Sequence, residues 1–170
     1  LLTAKPVMYV CNVSEDEAAT GNAFSHQVED FAQSNGASAV TISAAIESEI
    51  AQLPSLEERA EFLDSLGLKK TGLARVASAG YQLLGLITYL TAGPSESRAW
   101  TIPNGTKAPQ AAGIIHSDFE RGFICAETIS FDEYILHNGE QGAKEAGKIR
   151  QEGREYIVRD GDVITFRFNV

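Results

Sequence analysis

The chain has 170 residues, room for one ordinary domain or two small ones, and at 44% hydrophobic and 22% charged it is not a disordered tail. No apolar run approaches the roughly 20 residues that a membrane helix needs. Net charge is −9 and uneven: residues 1–85 carry 5 basic and 11 acidic side chains and residues 86–170 carry 9 and 12, so bulk electrostatics do not recruit nucleic acid.

In chain order, the opening Leu1 to Pro6 lacks the charged-then-apolar pattern of a signal peptide. Residues 6–11 form a continuous apolar run, which suits a strand buried on both faces in a parallel sheet. A polar loop runs from Ser14 to Gly21. Phe24, Val28, Phe31 and Ala32 then recur at helical spacing, with Asn35-Gly36 as the stop. Ala37 to Ile42 reads as a second buried strand, completing a βαβ unit, and Ser43-Ala44-Ala45 reads as a break. Ile46, Ile50 and Leu53 share a helical face. Ser55-x-x-Glu58 is a capping-box pattern that opens a helix running to about Leu66, before Gly67. Leu73, Val76, Gly80, Leu83 and Leu84 suit a further helix ending near Gly85.

The pattern then changes. Leu86 to Thr91 and Arg98 to Ile102 read as a hairpin about the turn Ala92-Gly93-Pro94-Ser95. Pro109 fits the first turn of a short helix through Ile115. Gly122 to Phe131 holds a third strand, Lys144 to Gly153 reads as a mobile charged segment, and Tyr156 to Phe166 reads as a hairpin about Asp160-Gly161. Strand, strand, helix, then more strands is the order of a β-grasp, ubiquitin-like domain. Cys11 and Cys125 lie far apart in strand-like runs and read as reduced core residues of a cytosolic protein. With no CxxC and no paired His, no metal site is expected.

The candidate site is the end of the first strand. In open α/β sheets, ligands sit outside the carboxyl ends of the strands, which is where Asn12 stands, and the neighbouring strand ends at Ser43. A carboxamide offers donor and acceptor together, as the N7 and N6 edge of adenine requires. The Val13 backbone can reach another edge of the ring, and the Ser43-Ala44 backbone can close the site. The plain alternative is that Asn12 caps a turn and Glu15 is a solvated carboxylate.

An Asn12-x-x-Glu15 strand end followed by Ser43-Ala44-Ala45 resembles the last two base-recognition motifs of the YchF-type, Obg-like P-loop ATPases. Most of the wider GTPase class has Asn-Lys-x-Asp, whose Asp accepts from guanine. The longer segments "TAGPSESRAWTIPNGTKAPQAAGIIHSDFERGFICAE" (91–127) and "AGKIRQEGREYIVRDGDVITFRFNV" (146–170) resemble the C-terminal TGS domain of that family. The resemblance implies a fold that is α/β plus α+β: the C-terminal part of a P-loop NTPase parallel-sheet domain (1–63), a helical connector (64–85) and a β-grasp TGS domain (86–170). It implies a cytoplasmic, ribosome-associated ATPase that binds ATP, with GTP as the weaker ligand, through Asn12, Val13, Glu15, Ser43 and Ala44. The large ribosomal subunit is the expected partner and ribosomal RNA a further one; no DNA or membrane partner is expected. The P-loop Gly-x-x-x-x-Gly-Lys-Ser/Thr does not occur in these residues, so the catalytic groups and the Mg²⁺ ligands of such an enzyme would lie elsewhere and this chain alone would be inactive. The other reading is a TGS module that binds RNA or the ribosome without hydrolysing anything.

His116, Asp118 and Glu120 invite a catalytic or metal reading, but a recognition or structural role is expected for them. Trp100 reads as core with Arg98 at its rim, or as a stacking surface. Lys107, Arg121, Lys148 and Arg150 would serve RNA only if clustered.

Overall fold

The computed structural model describes residues 1, 4–93 and 96–169. These fall into two compact units, Leu1–Leu84 and Gly85–Val170.

In the first unit, β1 (Met8–Asn12) and β2 (Ser38–Ile42) pair in parallel, in register from Met8↔Ser38 to Asn12↔Ile42. The crossover is α1 (Ala23–Ser34). Asn22 caps it by accepting the N–H groups of Phe24 and Ser25, and the Ser25 hydroxyl accepts the Asn22 N–H in return. Three helices follow: α2 (Ala44–Gln52), α3 (Leu56–Ser65) and α4 (Gly72–Leu83). Ser43-Ala44-Ala45 is therefore not a break; α2 starts inside it. Ala18, Ile46, Ile50, Leu63 and Leu68 form the core. The Glu47 carboxylate on α2 accepts the N–H groups of Gly72 (2.5 Å) and Leu73 (3.1 Å), tying two of the free donors of α4 to α2. At Gly72 a β-carbon would stand 3.0 Å from the Ile42 side chain, so glycine permits this approach.

The burial of β1 on both faces, expected from its apolar run, is not met. Val10 is 46% exposed and β2 is only partly buried throughout. Among the described residues the sheet has two strands, so each has one unpaired edge.

The second unit is a five-stranded sheet in the order β4-β3-β7-β5-β6. β3 (Leu86–Ala92) and β4 (Ser97–Pro103) form the expected antiparallel hairpin; Pro94 and Ser95 of its turn lie outside the described residues. Next come α5 (Ala108–Ile115), α6 (Ser117–Arg121), β5 (Phe123–Ser130), α7 (Phe131–Leu136), α8 (Glu140–Glu145), β6 (Arg150–Glu152) and β7 (Asp162–Phe168). Ala108, Ala111 and Ala112 of α5 are fully buried in the core with Tyr89, Ile102, Ile164 and Phe166. Their small side chains let the helix sit close enough for the Tyr89 hydroxyl to donate to the Ala111 carbonyl at 2.9 Å. Burial raises that phenol well above its ordinary pKa.

Two expectations are corrected here. Residues 144–153 are not an unstructured charged segment: α8 ends within them, and β6 pairs with β5 from Ala126↔Glu152 to Thr128↔Arg150. The last segment is not a hairpin either. β7 pairs in parallel with β3 and antiparallel with β5, while residues 156–160 lie outside the sheet strands. Two aspartates hold this turn. Asp160 Oδ1 accepts the Thr88 N–H (2.8 Å), and buried Asp162 accepts the Tyr156 hydroxyl (2.7 Å) and the Arg159 N–H (2.9 Å).

Candidate functional site

In the parallel pair both carboxyl ends reach the same rim, and the register sets Asn12 opposite Ile42. The Asn12 Oδ1 accepts the N–H of Ala44 at 2.9 Å, so the two strand ends are tied by a side chain. The Val13 N–H donates to the Ile42 carbonyl at 2.9 Å. Ser43 is 2% exposed, and its hydroxyl is buried with no hydrogen-bond partner among the described residues. Ala44 is exposed and opens α2. Glu15 is exposed and opens a 3-10 turn, Glu15–Glu17. Asn12, Val13, Ser43 and Ala44 thus come together; Glu15 stands on the adjoining turn.

These bonds decide what remains to meet a ligand. A carboxamide has two donors on nitrogen and two lone pairs on oxygen. Asn12 spends one lone pair on Ala44, which leaves its exposed amino group. The N–H groups of Val13 and Ala44 are already donated, so Val13 offers its carbonyl rather than its amide. The arrangement can present a donor beside an acceptor to a planar heterocycle.

Glu17 escaped the sequence reading. Its Oε2 accepts the Ser14 hydroxyl at 2.7 Å and the Asn22 Nδ2–H at 2.8 Å, fixing the loop after Asn12 onto the start of α1. Those hydrogen bonds, Ser14 first, hold its carboxyl below the ordinary carboxylate range. The readable signal was Ser14-x-x-Glu17, the spacing of a capping box.

The other flagged residues are occupied structurally. His116 Nδ1 accepts the Asp118 N–H at the start of α6, and its ring contacts Phe119. Arg98 lies 4.3 Å from the centre of the Trp100 ring, whose indole N–H donates to the Thr91 hydroxyl. The basic residues do not present a free cluster: Lys107 pairs with Glu155, Arg121 with Asp118, Lys148 with Glu133, and Arg150 with Glu152 and Asp162. No group of three His, Cys, Asp or Glu able to hold a metal occurs among the described residues, and no helix is long and apolar enough to cross a membrane. Cys125 is buried and Cys11 half-buried, both as free thiols.

A parallel strand pair and, in the same chain, a mixed five-stranded sheet make a mixed α/β fold similar to that of the YchF and Obg-like GTPases. Residues 86–169 match the YchF-GTPase_C family, described as a protein of unknown function (DUF933). The chain is 57% identical over 169 residues to the ribosome-binding ATPase YchF of Escherichia coli O157:H7, covering 99% of this chain and 46% of that protein. It is 55% identical over 172 residues to the protein of the same name from Bacillus subtilis, covering 100% and 47%. The solved YchF GTPase of Schizosaccharomyces pombe superposes with a TM-score of 0.79 at 36% identity, covering 98% of this chain and 44% of that one. The chain is similar to these YchF-type proteins and spans about half the length of the relatives it matches.

Proposed function

We propose that this chain supplies the base-reading rim and a ribosome-docking TGS domain to a cytoplasmic ATPase of the YchF type. The observation that carries the first part is the Asn12–Ala44 bond, which fixes the carboxamide and leaves its amino group free. That amino group would donate to N7 of a purine. The Val13 carbonyl would accept the 6-amino group of adenine and repel the 6-oxo group of guanine, which favours ATP over GTP. Glu15 does not restore the lost Lys and Asp of the guanine motif. Buried Ser43 shapes the rim and Ala44 anchors it. Phosphate and Mg²⁺ chemistry would come from groups outside these residues. Within the proposed division (1–63 nucleotide-binding, 64–85 connector, 86–170 TGS), the strand order β4-β3-β7-β5-β6 supports the β-grasp reading of the last part. The name carried by the E. coli and B. subtilis relatives supports ribosome association; docking on the large subunit is the finer part of this proposal.

The experiment is an adenosine titration of the ¹⁵N-labelled chain, because the nucleoside needs no phosphate site. Adenosine is expected to shift the Asn12 side-chain amide and the Val13 and Ala44 resonances, and inosine to act more weakly. Asn12→Asp keeps an acceptor for the Ala44 N–H but removes the amino group. It is expected to abolish the adenosine response while the Ala44 amide stays protected. An unchanged response in Asn12→Asp would overturn the reading.

A further inference from the structure

The first unit also holds a cavity of about 380 Å³, walled by α1, β2, α4 and the loop of residues 18–21. Its size falls in the range of small-ligand clefts, roughly 300–1,000 Å³. None of Asn12, Val13, Glu15, Ser43 and Ala44 lines it.

Three observations there converge on one ligand chemistry. The first is the β2 backbone. The Ser38 N–H donates to the Val7 carbonyl and the Ile42 carbonyl accepts from Val13, so Ser38, Val40 and Ile42 turn their peptide groups toward β1. Strand alternation turns those of Ala39 and Thr41 to the opposite edge, which pairs with no strand among the described residues, and both residues line the cavity. The second is Arg75 on α4, which also lines the cavity. Its Nε is buried without a hydrogen-bond partner among the described residues, a costly state for a charged donor. The third is the charge balance. Lys70 and Arg75 face a single carboxylate, Glu29, which already accepts the Thr41 hydroxyl at 3.2 Å. The wall therefore carries one net positive charge.

Edge N–H and C=O groups are complementary to a peptide. A guanidinium is complementary to an oxyanion, and one net positive charge matches a carboxylate better than a phosphate dianion. We propose that this cavity receives the carboxylate end of a short extended peptide. The peptide adds to the β2 edge at Ala39 and Thr41 while its carboxylate meets Arg75 and Lys70. The site does not depend on the base-reading role of Asn12.

The test is an NMR titration of the ¹⁵N-labelled 170-residue chain with acetyl-Ala-Ala-Ala carrying either a free carboxylate or a C-terminal amide. The acid is expected to shift the Ala39 and Thr41 amides saturably and to bind about tenfold tighter than the amide, the effect of one charge-assisted contact. Arg75→Gln is expected to lower the acid to the affinity of the amide. Lys70→Gln, at an exposed position, is expected to weaken the acid several-fold, and it serves if Arg75→Gln does not fold. Equal binding of the two peptides, absence of shifts at Ala39 and Thr41, or displacement of the acid by an equal concentration of inorganic phosphate would each overturn the proposal. Adenosine reports on different resonances, so failure there and failure here are distinguishable.

Discussion

Asn12 and Ala44 stand 32 positions apart in sequence, yet the side chain of one holds the backbone of the other at 2.9 Å. Asn12→Ala removes that acceptor from the first N–H of α2. A loss of about 1 kcal/mol in unfolding free energy is expected, with faster exchange of the Ala44 amide, read by denaturant titration and hydrogen exchange. An Ala44 amide that exchanges no faster would show that the bond carries no weight.

The Glu47 carboxylate does for α4 what a capping side chain does within one helix, but across elements. Glu47→Ala is expected to cost about 1–3 kcal/mol, since two donors lose a charged acceptor. Circular dichroism and urea denaturation report it. Glu47→Gln should recover part of the loss, because its amide oxygen still accepts.

Gly161 has φ +78°, between Asp160 and Asp162, and a β-carbon there meets nothing closer than Phe131 at 3.7 Å. The cost of a side chain is therefore conformational rather than steric. Gly161→Val is expected to destabilise the chain by about 1–2 kcal/mol, lowering its thermal midpoint. An unchanged midpoint would mean that the turn relaxes freely.

Tyr156 supplies a pH signature. Burial first, and then its hydrogen bond to the Asp162 carboxylate, push its phenol from 10.0 to about 12. The raised native value favours the protonated phenol, so its contribution to stability is complete below about pH 10. Between there and pH 12 the unfolded chain releases the proton first, and stability falls as pH rises. Denaturation at pH 9 and pH 11 should show a smaller drop for Tyr156→Phe than for the parent chain.

Ribosome association is testable with the chain as it is. Co-sedimentation with purified large subunits, and much less with small ones, is expected. Because Lys107, Arg121, Lys148 and Arg150 are paired with carboxylates, moderate salt should weaken pelleting less than it does for a protein held by many free phosphate contacts.

Local grammar was readable. Ser55-x-x-Glu58 announced α3, whose start shows the Ser55 hydroxyl accepting the Glu58 N–H, and Asn35-Gly36 announced the end of α1. What escaped was set by distant partners. β6 is three polar residues, Arg150 to Glu152, with no strand signature of its own; it exists because β5 offers an edge. β7 looked like half of a hairpin because Asp-Gly is the usual hairpin turn, yet its partners were made far earlier in the chain. At the candidate site, sequence placed Asn12 and Ser43 at neighbouring strand ends. It could not show that the amides of Val13 and Ala44 were already spent, or that Glu17 rather than Glu15 would be held.

The position of β7 also bears on how the second unit comes into being. Synthesis proceeds from β3 onward, so the nascent chain can close the β3–β4 hairpin and pair β5 with β6 while residues 162–168 are still in the exit tunnel. Until they emerge, the two halves have no common strand, and Ile164 and Phe166 are missing from the core. Completion of this sheet accordingly waits on long-range pairing of β7 with β3 and β5.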